Sequence, residues 1–367
     1  MLTLRKVIYV KTHTVNVKPK ADMPMELSYA QNMEDMHLEM LFRDQKSGFY
    51  IDIGGGHPVA DNVSFRSYLS GWRGLVVEPQ AQLHRLYAAI RPRDLAVDVL
   101  VGRREGAAAF HVVDKLHGFS TTVEAHARGA TDFGTSYDTQ TKAMTTLAAL
   151  CRQHAPADGI DWLKIDVEGA EEDVLAGNDW AVYRPRVILV EAIAPGSMEP
   201  SHQGWEPILL GADYSFVFFD GLNRWYLAKE ASSLAAQVPV AYRDWGSVRH
   251  LYDHGRARDR SDHPDHALAS ALMGLEPAAI PLVDQATIFD FLTKNMSAHE
   301  LDGPAAHSVL GRVAHLWLGS EPHGYDPQSG VGKSLQVALQ ALMATDAFRA
   351  ALGRIAAAYD GGFVMEA

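Results

Sequence analysis

The hydrophobic pattern near the start of the chain predicts a buried strand that runs into a glycine loop. Residues 49–53 are aromatic or β-branched except for Asp52, an acid near the carboxyl end of the strand. The three glycines that follow allow the backbone to turn tightly and to approach a ligand closely: Gly54, Gly55 and Gly56. The pattern therefore predicts a ligand site at the end of this strand.

A helix and a second strand follow the glycine loop. Over residues 61–69, Phe65, Tyr68 and Leu69 have helical spacing. Residues 74–78 are a second apolar run, which ends on Glu78, and a further amphipathic helix is predicted over 83–90. A strand, a glycine loop, a helix and a strand ending in an acid indicate half of a Rossmann-like, doubly wound α/β sheet.

Two classes of ligand fit this half sheet, a nicotinamide dinucleotide and S-adenosylmethionine. Glu78 lies where the ribose of either ligand would take a carboxylate. Asp52 would repel a pyrophosphate but attract a ligand that carries an ammonium and a sulfonium group. The dinucleotide pattern also needs a third glycine at the position of Val59, which is β-branched. The residues favour S-adenosylmethionine over NAD, and a turn that binds nothing is the remaining alternative.

Two later apolar runs also end on acids. Strands are predicted over 161–166 and 185–191, and they end on Asp166 and Glu191. Ligands of open parallel sheets bind beyond the carboxyl ends of the strands, so we expect these acids to line one crevice with Asp52 and Glu78. Lys164 lies inside the first run and is expected to face this crevice, with a snorkelling lysine as the alternative.

Further elements are predicted between and after these strands. Residues 95–101 and 107–113 have strand character, whereas 114–143, which contain His117, are polar without a sustained period and are expected to form a lid or binding loop. Thr145 or Thr146 is expected to cap a helix that extends to about His154. Two strand-like runs flank Asp220 and Gly221, which is a strong hairpin signal.

The C-terminal part of the chain differs in composition. Residues 236–282 are rich in charges and histidines and are expected to be a linker or flap, although His250 and His254 have the spacing of metal ligands on a helix. Residues 283–367 carry helical apolar faces and predict a helical domain. Residues 240–367 are not expected to be needed for cofactor binding, but to influence acceptor choice or homo-oligomer assembly. The catalytic domain is expected over 24–235, after an N-terminal arm at 1–23.

Bulk composition excludes several kinds of partner. A net charge of −12 argues against binding to a nucleic-acid backbone or an anionic membrane surface. No apolar run approaches the length of a membrane span. Cys151 is the single cysteine, so no intrachain disulfide can form, and a reducing, cytoplasmic location is expected.

Five motifs occur in the order found in the FkbM-like methyltransferases, which the chain resembles over about residues 24–230. The motifs are Ser28–Asp35, Asp52–Gly54, Gly71–Pro79, Leu163–Glu171 and Asp220–Arg224. The resemblance implies a class I methyltransferase sheet that binds S-adenosylmethionine and, for many relatives, methylates a hydroxyl of a sugar or glycan-like acceptor. Many relatives have Ala-Asn where this chain has Gly55 and Gly56, which leaves ligand contacts there to backbone groups.

These considerations give a set of expected site residues. In the cofactor site we expect Gln31 at the polar start of the first helix, with simple capping as its alternative, and Val101 in the region that packs on adenine in this fold. Asp166 is expected at both the cofactor and the acceptor, where it would take the hydroxyl proton, with Glu168 and Glu191 beside it and His117 as the rival base. The crowded carboxylates could instead hold a divalent cation. The alternatives to an O-methyltransferase are a non-catalytic glycan-associated module and an NAD-dependent oxidoreductase.

Overall fold

The computed structural model describes residues 26–114, 116–194, 199–238, 248–294 and 335–359. The chain divides into two compact units. The first unit runs up to His250 except for residues 86–92, which group with the second unit, and the main part of the second unit begins at Leu251. The predicted N-terminal arm lies outside the described residues, as does a predicted apolar helical face over 309–317.

A seven-stranded sheet forms the centre of the first unit. Its strands, in chain order, are β2 (Phe49–Ile53), β3 (Arg73–Val77), β4 (Leu95–Val97), β8 (Trp162–Ile165), β9 (Val187–Glu191), β10 (Tyr214–Phe219) and β11 (Asn223–Ala228). Their order across the sheet is β10-β11-β9-β8-β2-β3-β4, in which β11 is antiparallel to both of its neighbours and the other pairs are parallel. The inner strands are almost fully buried, which is why their sequences are continuous apolar runs. The predicted Rossmann-like sheet with a terminal hairpin is confirmed.

The helices between residues 34 and 211 largely follow the predicted pattern. They are α1 (Glu34–Leu41), α2 (Phe65–Leu69), α3 (Ala81–Ile90), α4 (Glu124–Ala130), α5 (Leu147–His154), α6 (Glu171–Ala176) and α7 (Glu206–Gly211). Thr146 caps α5, since its hydroxyl accepts a hydrogen bond from the N–H of Ala149 at 3.1 Å. No side chain caps α1, because Met33 occupies the N-cap position with φ 65°. The Oγ of Ser28 instead donates to Asp35 at 2.6 Å.

A second, smaller sheet explains two departures from the sequence prediction. It contains β5 (Leu100–Val101), β7 (Tyr137–Thr145) and β6 (Gly106–Val113), in that spatial order. The single strand expected over 95–101 is therefore two strands, which belong to different sheets. The segment expected to be a lid or loop over 114–143 contains α4 and most of β7. Because β7 is exposed along most of its length, it lacks the alternation of a half-buried strand.

The segment expected to be a charged linker over 236–282 is folded from residue 248 onward. The strand β12 (Val248–His250) pairs in parallel with β1 (Glu26–Ser28). His250 is buried there, with its Nε2 2.8 Å from the carbonyl oxygen of Ala30. Among the described residues, no group of three potential metal ligands includes His250 or His254.

The second unit is helical and has a core of its own. Its helices are α8 (His266–Ala271), α9 (Gln285–Thr293), α10 (Leu335–Met343) and α11 (Asp346–Ala357). Its buried cluster includes Leu268, Ile280, Leu342 and Ile355. Asp265 is fully buried and accepts two hydrogen bonds from the guanidinium of Arg354, at 2.6 and 2.8 Å. No helix in the described part of the chain is both long and apolar enough to cross a membrane.

Candidate active site

The carboxyl ends of four adjacent strands bring the expected acids to one edge of the sheet. The order β9-β8-β2-β3 places the end of each strand next to the end of its neighbour. Glu191 ends β9, Asp166 follows β8, Asp52 lies in β2 and Glu78 follows β3. The four acids therefore lie along one edge of the sheet, as predicted, but their surroundings differ.

The glycine loop after β2 is closely fitted to its neighbours. The N–H groups of Gly54 and Gly55 donate to the carbonyl oxygen of Val77, at 3.0 and 3.1 Å. Gly54 has φ +79°, and a Cβ atom added there would overlap the carbonyl oxygen of Asp166. Gly56 has φ +59° and open space where a side chain would lie. The loop therefore needs glycine at position 54 and leaves room beside the backbone at position 56.

Glu78 is buried and held by backbone groups. Its Oε2 accepts from the N–H of Gly56 at 2.8 Å and its Oε1 from the N–H of Gln80 at 2.7 Å. Burial raises the pKa of Glu78 to about 7, although both hydrogen bonds and the nearby His117 lower it. Each carboxylate oxygen has a lone pair left to accept a further hydroxyl. A pair of vicinal ribose hydroxyls fits this arrangement.

His117 lies at the same end of the site as Glu78. Its carbonyl oxygen accepts from Nε2 of Gln80 at 3.1 Å, and Oε1 of Gln80 accepts from Oγ of Ser120 at 3.0 Å. Its positive charge, when protonated, acts on Glu78. The residue expected to rival Asp166 as the base is therefore grouped with the predicted ribose carboxylate.

Asp52 contacts a buried lysine instead of facing an open pocket. Its carboxylate is fully buried, accepts from Oγ of Ser64 at 2.6 Å and lies 3.6 Å from Nζ of Lys164. The same Nζ donates to the carbonyl oxygen of Gly54 at 2.8 Å and lies 3.2 Å from Oδ2 of Asp166. Burial alone would lower the pKa of Lys164, but Asp166 and Asp52 outweigh it and raise this pKa. Lys164 thus faces the site as predicted and ties the glycine loop to Asp166.

Three carboxylates converge beyond the ends of β8 and β9. One oxygen from each of Asp166, Glu168 and Glu191 lies within 4.8 Å of the others, and all three residues are partly exposed. Burial, followed by repulsion from Asp166, raises the pKa of Glu168 and of Glu191 well above the usual value. Such a cluster could share protons, bind the hydroxyls of an acceptor or hold a divalent cation.

The turn that carries Glu168 is held from both sides. The Oε1 of Glu171 accepts from the N–H groups of Val167 and Gly169, at 3.2 and 3.0 Å. The carbonyl oxygen of Glu168 lies 2.8 Å from Oγ1 of Thr121 and 2.9 Å from Nδ1 of His126. Sequence analysis did not find His126, because α4 has no motif and no sustained hydrophobic period.

The first and last of the five motifs interlock beside the acids. Nδ2 of Asn223 donates to Oε1 of Glu34 at 2.8 Å, and Nδ2 of Asn32 donates to the carbonyl oxygen of Asp220. Asn223 is the cross-strand partner of Glu191. Burial, and then the charge of Asp220, raises the pKa of Glu34 well above normal. These motif residues therefore fix the wall next to Glu191.

The two remaining predicted cofactor residues lie in different surroundings. Gln31 is partly exposed in the turn before α1, and its side chain makes no hydrogen bond with the described residues. Val101 is buried at the end of β5. The position of Gln31 is open to a ligand, whereas Val101 offers an apolar surface.

Comparison with known proteins identifies the domain. The family model of the methyltransferase FkbM domain matches residues 52–216, which include the glycine loop, Glu78 and the three converging carboxylates. No curated protein and no solved structure matches the chain. Residues 52–216 thus form a methyltransferase domain of the FkbM type, and the protein is a methyltransferase.

Proposed function

We propose that the protein transfers a methyl group from S-adenosylmethionine to a hydroxyl of a sugar or glycan-like acceptor. The observation that carries the proposal is the cluster of Asp166, Glu168 and Glu191 immediately beside the glycine loop. Carboxyl groups accept hydrogen bonds and, where protonated, also donate one, while a polyol presents several hydroxyls that donate and accept in a small volume. An acceptor rich in hydroxyls therefore complements this cluster.

The cofactor assignment rests on the other end of the site. The ribose hydroxyls would donate to Glu78, the methionine part would follow the backbone of Gly54–Gly56, and the adenine would pack near Val101. Gln31 would contact the cofactor from the turn before α1. Asp52 would act on the ammonium only indirectly, because its carboxylate faces Lys164 and Ser64. The glycine loop and the buried carboxylate of Glu78 support this fit.

The chain's main contribution to rate would be positioning. When bound, S-adenosylmethionine supplies a methyl group already activated by a sulfonium. The three acids would hold the acceptor so that its oxygen lies in line with that methyl, and correct placement of two reactants can remove about 7–11 kcal/mol of the barrier. Oδ2 of Asp166 already pairs with Lys164, and this ion pair competes with the acceptor for the oxygen. The single buried Cys151 is compatible with a reducing, cytoplasmic location.

Three experiments test the proposal. Calorimetry should show binding of S-adenosylmethionine and S-adenosylhomocysteine and no binding of NAD. Cofactor with a tritiated methyl should then label a panel of monosaccharides and short oligosaccharides, but not amines that lack hydroxyls. Binding of NAD alone, or labelling of amines alone, would overturn the proposal. Mass spectrometry of surface polysaccharide from cells with and without the protein should locate the methyl on the natural acceptor.

A further inference from the structure

The imidazole of His126 is fixed in orientation at the acceptor end of the site. Its Nδ1 lies 2.9 Å from the carbonyl oxygen of Glu168, and Oγ1 of Thr121 donates to the same oxygen at 2.8 Å. Glu168 follows the end of β8 by three residues and contributes to the carboxylate cluster. His126 is therefore adjacent to the turn where the acceptor is proposed to bind.

This contact determines which ring nitrogen carries the proton. A carbonyl oxygen only accepts hydrogen bonds, so Nδ1 of His126 must be the donor. In the neutral ring, Nε2 is then left with its lone pair. Nε2 makes no hydrogen bond with the described residues, and it is not among their buried, unpartnered atoms. The ring thus presents a proton-accepting nitrogen that no protein group occupies within the described ranges.

The turn after β8 is shaped to accommodate this ring. Gly169 has φ +102°, and a Cβ atom added there would overlap Cε1 of His126. Glu168 has φ +57°, a left-handed conformation that costs a residue with a side chain of order 1–3 kcal/mol. The two donors from Thr121 and His126 offset part of that cost.

We propose that Nε2 of His126 is the base that takes the proton of the acceptor hydroxyl. The inference rests on the proposed O-methylation. The acceptor oxygen forms a bond to the methyl carbon while the sulfur–methyl bond breaks, and the sulfur keeps the electron pair. The hydroxyl proton moves to Nε2 and is later released to water. Imidazole groups in general are well suited to accept a proton from a reacting hydroxyl near neutral pH.

The two bases expected from the sequence are less well placed. Asp166 shares Oδ2 with the ammonium of Lys164 at 3.2 Å, and His117 is grouped with Glu78. His126 instead contacts the backbone of the turn that carries Glu168, and this contact anchors one of its nitrogens. In this assignment Asp166, Glu168 and Glu191 bind the acceptor, and His126 removes its proton.

The decisive variant is His126→Asn, because the amide of asparagine can replace Nδ1 but has no atom at the position of Nε2. With the saccharide panel and tritiated cofactor, we expect cofactor affinity within about twofold of wild type and a fall in kcat of about 10²–10³-fold. The rate of this variant should rise steadily with pH, whereas the wild-type rate should fall at low pH and level off at higher pH. Thr121→Val is the matched control, since it removes the other donor to the same carbonyl. We expect Thr121→Val to keep the shape of the wild-type pH profile. Wild-type kcat and an unchanged pH profile in His126→Asn would overturn the inference.

A second measurement is independent of the acceptor. Long-range ¹H–¹⁵N spectra of histidine-labelled protein should show His126 as the Nδ1–H tautomer at pH 8. An Nε2–H tautomer would remove the base and overturn the inference, even if saccharides are methylated. Conversely, labelling of amines alone would overturn the proposed function while the spectrum still reports on His126.

Discussion

The carboxylates at the two ends of the active site differ in the hydrogen-bond donors around them. Glu78 receives hydrogen bonds from two backbone N–H groups. Glu168 and Glu191, at the other end, accept no hydrogen bond from the described residues and are surrounded by other acids. Burial raises the pKa at both ends, but only at Glu78 does the fold itself supply compensating donors.

The difference indicates what each end is built to bind. Backbone donors fix the position of Glu78 before any ligand arrives, which suits a ligand that is always the same. Carboxylates without donors remain poorly satisfied until a proton, a cation or a hydroxyl reaches them. This contrast supports the proposal that the cofactor binds at the first end and the acceptor at the second.

The largest effect is expected at the lysine that connects the two ends. Lys164→Met should lower the free energy of unfolding by about 3–5 kcal/mol, because Asp52 would remain as a buried charge without its cation. Chemical denaturation measures this. Lys142→Met is the control, since Lys142 pairs with the more exposed Asp98 and should cost less than about 1 kcal/mol. Equal effects of the two substitutions would contradict a special role for the buried pair.

A pair of alanine variants separates the two ends by ligand binding. Glu78→Ala should weaken binding of S-adenosylmethionine by about 1.5–3 kcal/mol, because it removes a charge-assisted pair of hydrogen bonds. Glu191→Ala should leave that affinity within a few-fold and reduce methyl transfer. Calorimetry and the tritium assay give the two readouts. Unchanged affinity in Glu78→Ala would show that the ribose is held elsewhere.

The cofactor end should also depend on pH. Glu78 has a pKa raised to about 7, so its carboxylate, the form that accepts ribose hydroxyls, is lost as pH falls below that value. Affinity for S-adenosylmethionine should therefore drop about tenfold between pH 8 and pH 6. The Glu78→Ala variant should bind weakly and without this dependence. A flat profile in the wild-type protein would exclude Glu78 as the titrating group.

The smallest effect concerns the protonation state of the carboxylates at the acceptor end. Because the folded-state pKa of Glu191 is raised, its contribution to stability is present at low pH and lost as pH rises through that pKa. Glu191→Gln should stabilise the protein at pH 8 by about 1 kcal/mol, after screening by solvent, and have little effect near pH 4. Thermal unfolding measures both. If Mg²⁺ stabilises the wild type but not Glu191→Gln, the cluster holds a cation instead of protons.

The local sequence pattern was sufficient to predict the structure of a segment that buries both faces or needs a special backbone conformation. The apolar runs of β2, β3, β8 and β9 and the hairpin at Asp220 were found from the sequence. So was the requirement for glycine at position 54. In each case the physical cause lies within a few residues: continuous burial, hairpin geometry or a positive φ.

Only the tertiary structure could decide features that depend on partners distant in the chain. The strand β7 is polar along most of its length and exists because it pairs with β6. Asp265 seemed part of a solvated linker, yet it is buried because Arg354 neutralises it from 89 residues away. His126 carries no sequence signal, and its orientation comes from a carbonyl 42 residues further along. The sequence by itself determined the sheet, the glycine loop and the acids at the strand ends. Tertiary contacts decided which of those acids are satisfied and which histidine contacts the turn after β8, because hydrogen bonds and charges act through space and not along the chain.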